Sequence, residues 1–258
     1  MTTISSIGVA KRIVIKVGSS SITGANEEQL DHIVDLCVRL MKQGKEVILV
    51  SSGAIATASP LIGLSAKPDD LATSQALASI GQARLMGRYE RSLSRHGMLP
   101  GQVLLTVENI ADEQSSENAS RALERLISLG VLPIINENDS VATQEIRFGD
   151  NDQLAARVAI LAGAELLILL SDIDSLYTKP PTEEGAERIQ QVSFGQDLSH
   201  LQVSGTSTGY GTGGALTKVA AALLATESSI EVVLTSTSNA LSLDTRDVPH
   251  TLFQAKEL

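Results

Sequence analysis

The 258-residue chain is 43% hydrophobic and 19% charged, which leaves ample apolar surface for a large core and excludes a disordered chain. Its net charge of −10 argues against nucleic acid or an anionic membrane as a partner, and no basic, aromatic-studded pattern offsets it. Aromatic residues make up 2% with no Trp, so the core must be aliphatic, as in parallel sheets covered by helices.

The first residues, MTTISSIGVAKR, contain no apolar signal core, and no later run approaches the length of a membrane span. A cytoplasmic protein is expected. Strand RIVIKV (12–17) follows, and it carries Lys16 within an apolar run before Gly18 and three serines, Ser19, Ser20 and Ser21. A lysine there is costly to bury without an anion. Either the strand lies at a sheet edge with Lys16 in water, or Lys16 and the loop amides are aimed at a phosphate. A helix near 26–43 comes next. It places Ile33, Val34, Cys37, Leu40 and Met41 on one face, so the single cysteine reads as a core thiol, and a lone Cys fits a reducing compartment.

VSSGAIATA (50–58) reads as the end of strand EVILV (46–50), a small-residue turn and a helix start. The turn around Ser52 is an ordinary βα connection or an anion seat at a helix N-terminus. The helix predicted near 74–95 carries Ala76, Ala78, Ser79, Gly81 and Ala83. Those small side chains seat it on its own sheet or let another element approach. Strand GQVLLT (101–106), a helix over 113–128 and strand VLPIIN (131–136) continue the alternation.

The densest polar stretch is INENDSVATQEIRFGDND (135–152), which crowds Asn136, Glu137, Asn138, Asp139, Asp150, Asn151 and Asp152 where a buried strand stops. One of the last three accounts for the cap of a helix over 151–162. The remainder suits either a hard divalent cation or a zwitterion, with acids for an ammonium and amides for carboxylates. No calcium-loop spacing is present, and the four histidines (His32, His96, His200, His250) sit in no ligand spacing.

Strand ELLILL (165–170) ends in Ser171 and Asp172, where the Asp is a turn former or an organiser of lysines around a phosphate. The proline-rich stretch 178–187 is a loop, too short to separate domains. GYGTGGALTK (209–218) is a glycine-rich loop running into a helix over 213–227, with Lys218 about one turn in. It matches neither a Walker A sequence nor a Rossmann fingerprint, leaving a generic anion cradle or a surface loop before a solvated lysine. Strand IEVVLT (230–235) closes the series. Strand and helix alternate throughout, so the expected fold is a three-layer α/β/α sandwich with an open, mainly parallel sheet. One domain is expected, with an N-terminal lobe over about 1–160 and a C-terminal lobe over about 161–258. In such sheets ligands sit beyond the carboxyl ends of the strands, where this chain repeatedly places small polar residues.

Taken in order, IVIKVGSSSIT, VSSGAIA, GQVLLT, INENDSVATQEIRFGDND and GTGGALTK resemble the amino-acid kinase family over nearly the whole chain, through to TLFQA. The segment 135–152 is similar to the substrate segment of its glutamate-phosphorylating branch. The resemblance implies transfer of a phosphoryl group from ATP, with Mg²⁺, to the γ-carboxylate of L-glutamate, the first step of proline synthesis. It implies that Lys16 touches the transferring phosphate, and that Asp152 organises Lys16 and Lys218 as the catalytic set. Ser52, Asp139 and Asn151, with Asn136 and Asp150 nearby, would hold glutamate. Lys16, Ser171, Asp172 and the run Thr212, Gly213, Gly214, Ala215, Leu216, Thr217 and Lys218 would bind ATP. No protein metal site is implied. A homodimer or homotetramer, proline as feedback inhibitor, and hand-off of the product to glutamyl phosphate reductase are also implied. The chain departs from the family at Ser171, usually Thr, at Ser175, usually Gly, and in TSTSNALSL (235–243), which lacks a usual glycine. Many members carry a C-terminal PUA domain, and this chain stops before it. A sister kinase for aspartate, acetylglutamate or uridylate, and a non-catalytic glutamate sensor, are the alternatives.

Overall fold

The computed structural model describes residues 4–64, 68, 70–141, 151–198 and 214–257. In chain order its elements are α1 (Ser5–Val9), β1 (Arg12–Val17), α2 (Gln29–Lys42), β2 (Glu46–Val50), α3 (Ala54–Ala58), α4 (Leu71–Ser94), β3 (Pro100–Leu105), α5 (Val107–Ala111) and α6 (Glu113–Ser128). Then follow β4 (Leu132–Glu137), α7 (Asn151–Leu161), β5 (Leu166–Ser171), β6 (Leu176–Tyr177), β7 (Arg188–Ile189), β8 (Gln191–Val192), α8 (Ala215–Glu227), β9 (Glu231–Ser236) and β10 (His250–Phe253).

The main sheet has the order β3-β4-β2-β1-β5-β9-β10-β8, and the six strands from β3 to β9 run parallel. β10 turns back antiparallel to β9. The expected sandwich is borne out, and the side-chain alternation of each strand explains it. Ile13, Ile15 and Val17 of β1, with Val47, Leu49, Ile134, Ile168 and Leu170, face a layer holding α2 and α4. Val14, Ile48, Val50, Ile135, Leu167 and Leu169 face the other layer, which holds α6, α7 and α8. Strands buried on both faces read as unbroken apolar runs, which is how β1, β2 and β5 read.

β1 pairs with β2 on one side and β5 on the other, so it lies inside the sheet. This corrects the edge-strand alternative for Lys16. Lys16 is two residues past Val14 and so shares its face, toward α7 and α8. From β1 the chain adds β2, then β3 at the edge, fills the gap between them with β4, and crosses to β5 on the other side of β1. That crossing makes the carboxyl end of β1 the switch point of the sheet, the expected ligand position.

Cys37 is fully buried in the α2 layer, and burial pushes its thiol up to about 12, consistent with a core residue. The small residues of α4 serve α3 first. A methyl on Gly81 would overlap the Ala54 carbonyl, so the two helices meet backbone to side. Ala78 is buried in the same seam, whereas Ala76, Ser79 and Ala83 are exposed. The loop over 178–187 is closed at its base by the antiparallel ribbon β6–β7, which the sequence did not announce. Among the described residues no helix is long and apolar enough to cross a membrane.

Candidate active site

Two residues at the start of α7 organise the carboxyl edge of the sheet. Asp152 is fully buried, and its carboxylate is ion-paired through Oδ1 with Lys16 of β1. Its other oxygen, Oδ2, lies 3.1 Å from Lys218 Nζ of α8 and accepts a hydrogen bond from Thr217 at 3.3 Å. Lys16 and Lys218 are 3% and 5% exposed, so both ammonium groups have left water to meet at one carboxylate. Burying an ammonium is costly unless it is paired and hydrogen-bonded, and Asp152 supplies the pairing for both. The alternative of a solvated Lys218 is thereby overturned, and so is the role considered for Asp172 as lysine organiser. Asp172 is exposed and accepts from Ser171 Oγ at 2.9 Å.

Asn151, one residue earlier, points into a second set. Its Nδ2 lies 2.7 Å from the Ser51 carbonyl oxygen, 2.7 Å from Ser52 Oγ and 2.9 Å from Asn136 Oδ1. Asn136 Oδ1 also accepts from the Glu137 backbone N–H at 2.9 Å, and Asn136 Nδ2 donates to Gln82 Oε1 of α4 at 2.8 Å. Ser51 Oγ is 2.8 Å from the hydroxyl of Tyr89, also on α4, and burial pushes that phenol's pKa up. Asn136, Asn151 and Ser51 are buried, so these hydrogen bonds stand in for water at their polar groups. Gly53 makes the turn after Ser52 possible, with φ of 104° in the left-handed region.

Beside the network, between α4 and the ends of β3 and β4, lies a cavity of about 230 Å³. Gln82, Gln102, Glu137 and Asp139 line it. Glu137 is 7% exposed, and its Oε1 has no hydrogen-bond partner. Burial, with the neighbouring charges of Asp139 and Glu108, raises its carboxyl to about 7. On the opposite side of β1, Thr237 ties the loops together by donating to the Ser171 carbonyl at 3.0 Å, and its Oγ1 is 2.9 Å from Ser21 Oγ. The segment 235–243 thus holds the end of β5 through a threonine hydroxyl. Gly214 caps α8, and Ala215, Leu216 and Thr217 form its first turn with Lys218.

The structure therefore gathers Lys16, Lys218 and Asp152 at one point, and Ser52, Asn136 and Asn151 at another. Asp139 lines the adjacent cavity, Ser171 ends β5 and Asp172 follows it. Asp150, Thr212 and Gly213 lie outside the described residues. Reading the sequence alone missed Gln82 and Tyr89 as members of the network and passed over Glu137. Glu137 stood in plain view within NEND, whereas nothing local distinguishes Gln82 or Tyr89 from other helical residues.

The amino acid kinase family model matches residues 11–236, and the chain belongs to that family. Within it the chain falls among the glutamate 5-kinases. It is 57% identical to the glutamate 5-kinase of Clavibacter michiganensis subsp. michiganensis over 232 residues, covering 90% of each chain. It is 55% identical to that of Leifsonia xyli subsp. xyli, covering 89% of this chain and 85% of the relative. Against the Streptomyces avermitilis glutamate 5-kinase the identity is 49%, over 91% of this chain and 64% of the relative. The fold also matches carbamate kinase from Giardia lamblia bound to AMP-PNP, with a TM-score of 0.65 and 12% identity, covering 95% of this chain and 99% of that one.

Proposed function

We propose that the chain phosphorylates the γ-carboxylate of L-glutamate with ATP, giving L-glutamyl 5-phosphate, the first step of proline biosynthesis. The observation that carries this reading is the convergence of two buried ammonium groups, from β1 and α8, on Asp152 at the switch point of the sheet. The glutamate 5-kinase relatives at 57% and 55% identity support the choice of substrate.

Phosphoryl transfer asks a protein mainly for alignment and charge neutralisation. One γ-carboxylate oxygen forms a bond to the γ-phosphorus of ATP, the bond to the β–γ bridging oxygen breaks, and ADP leaves with that electron pair. A carboxylate is already ionised near neutral pH, so no general base is required. Lys16 and Lys218 stabilise the charge on the transferring group, and Asp152 keeps them from repelling one another. Glutamate occupies the lobe over about 1–160, against Ser52, Asn136, Asp139, Asp150 and Asn151. ATP occupies the lobe over about 161–258, against Ser171, Asp172 and the run from Thr212 to Lys218. Among the described residues no group of three or more His, Cys, Asp or Glu side chains is placed to hold a metal ion. Mg²⁺, in this reading, arrives with the nucleotide and would neutralise charge on its phosphates.

The proposal extends to a cytoplasmic homodimer or homotetramer in which proline competes for the glutamate site, with the product passed to a reductase. Light scattering, and proline titration at several glutamate concentrations, test those extensions. The main test traps the acyl phosphate with hydroxylamine across a panel of amino acids. ATP-dependent hydroxamate with L-glutamate, and little with L-aspartate or N-acetyl-L-glutamate, is expected. Preference for either alternative, or no hydroxamate, overturns the reading.

A further inference from the structure

The hydrogen-bond network fixes the orientation of Gln82, and that orientation has a chemical consequence. A backbone N–H can only donate. The Glu137 N–H reaches one side-chain atom of Asn136 at 2.9 Å, so that atom is the oxygen. The other Asn136 atom is then the NH₂, and the Gln82 atom facing it at 2.8 Å must be the oxygen. The NH₂ group of Gln82 is thereby turned away from Asn136, and no protein acceptor takes it among the described residues. Gln82 lines the cavity between α4 and the ends of β3 and β4, together with Glu137 and Asp139. In the same cavity the 93%-buried Glu137 has an oxygen, Oε1, without a hydrogen-bond partner. The lining thus offers an oriented donor beside acidic groups, which is the chemistry that receives the carboxylate and ammonium of an amino acid.

We infer that the side-chain amide of Gln82 donates to the α-carboxylate of the amino-acid substrate. This rests on the proposed phosphorylation of glutamate and deepens it. The γ-carboxylate must lie at Lys16 and Lys218 for transfer. The substrate's other end then extends toward the β4 side, where Gln82 lines the cavity, and the carboxylate there is the α-carboxylate. Gln82 is a binding residue in this assignment, and the chain of amides from Asn151 through Asn136 sets its direction.

Two substitutions separate a ligand contact from mere support of Asn136. Gln82→Glu keeps an oxygen for Asn136 Nδ2 but replaces the outward donor with an oxygen. Gln82→Met removes both. If Gln82 only supports Asn136, the Glu variant behaves like wild type and the Met variant is impaired. If Gln82 binds the α-carboxylate, both raise the KM for glutamate by about 10- to 100-fold while kcat and the KM for ATP change little. The decisive probe is L-isoglutamine, which keeps the γ-carboxylate but carries a carboxamide in place of the α-carboxylate. Wild type should prefer glutamate strongly, and Gln82→Glu should cut the ratio of kcat/KM for glutamate over isoglutamine by at least tenfold, because its carboxylate accepts from the carboxamide. Hydroxamate formation reads both substrates. An unchanged ratio in Gln82→Glu, with wild type active on glutamate, overturns the inference alone. No glutamyl hydroxamate from wild type overturns the functional reading and the inference with it.

Discussion

The two sides of the first turn of α7 are built on opposite principles. Asp152 faces β1 and α8 and gathers full charges, Lys16 and Lys218, in a place with no solvent. Asn151 faces β2, β4 and α4 and gathers only neutral groups: the Ser51 carbonyl, Ser52 and Asn136, with Gln82 behind. Consecutive helical residues point about 100° apart, so one turn of helix serves both regions while keeping them separate. A charged cluster acts on charge that develops during transfer. In the proposed reaction a neutral amide network suits a ligand whose charges are the same before and during transfer. On the function proposed above, the difference would give transition-state work to one flank of β1 and ground-state recognition to the other.

The largest effect comes from breaking the charged side. Asp152→Ala leaves two ammonium groups buried without their shared carboxylate, and such a loss costs about 3–5 kcal/mol. Denaturant titration should show a large drop in midpoint, and excess pyrophosphate or nucleotide should recover some of it by supplying anionic charge. A variant as stable as wild type would mean that the lysines swing out to water with little cost.

A middle-sized effect belongs to the neutral side alone. Gly81→Ala forces α4 away from α3 at the Ala54 carbonyl, an overpacking that costs about 1–3 kcal/mol. Because Gln82 is the next residue, the KM for glutamate should rise with it while the KM for ATP stays put. Equal effects on both substrates would show that the two regions are mechanically joined.

The smallest effect is a pH dependence. Glu137 titrates near 7 in the folded protein, raised by burial and by Asp139 and Glu108, whereas an unfolded chain releases that proton in the ordinary carboxyl range. The folded state therefore holds more protons between those values, and its stability falls as pH rises toward 7 and levels off above it. Glu137→Gln removes this contribution. The Tm of the variant relative to wild type should climb between pH 5 and pH 8, and parallel curves would contradict a buried, protonated Glu137.

These contrasts were unequally legible in the sequence. β1, β2 and β5 were readable because a strand buried on both faces leaves an unbroken apolar run. Lys16 betrayed itself as the charge in such a run. β10 was not readable, since HTLF is short and half polar, and its partner β9 supplies the register that makes it a strand. Local pattern left Asp152 as one of three cap candidates, because GDND before an apolar helix looks like a helix start whatever its side chains touch, and only the family resemblance singled it out as organiser of the lysines. The amide network joins Gln82 to Asn136 across 54 residues and Asn151 to Ser52 across 99, distances over which local pattern carries no signal. Tyr89 is buried in the core while its hydroxyl holds Ser51, a double role that nothing in the helix's own sequence announces.

The division between the flanks of β1 is tested most directly by steady-state kinetics on Lys218→Ala and Asn151→Ala, measured side by side for both substrates. Lys218→Ala should lower kcat by roughly 10²–10³ with little change in the KM for glutamate. Asn151→Ala should raise the KM for glutamate at least tenfold with kcat largely preserved, as loss of a ground-state contact does. The reverse pattern, a lysine variant that turns over normally once saturated or an asparagine variant that loses only kcat, would contradict the assignment.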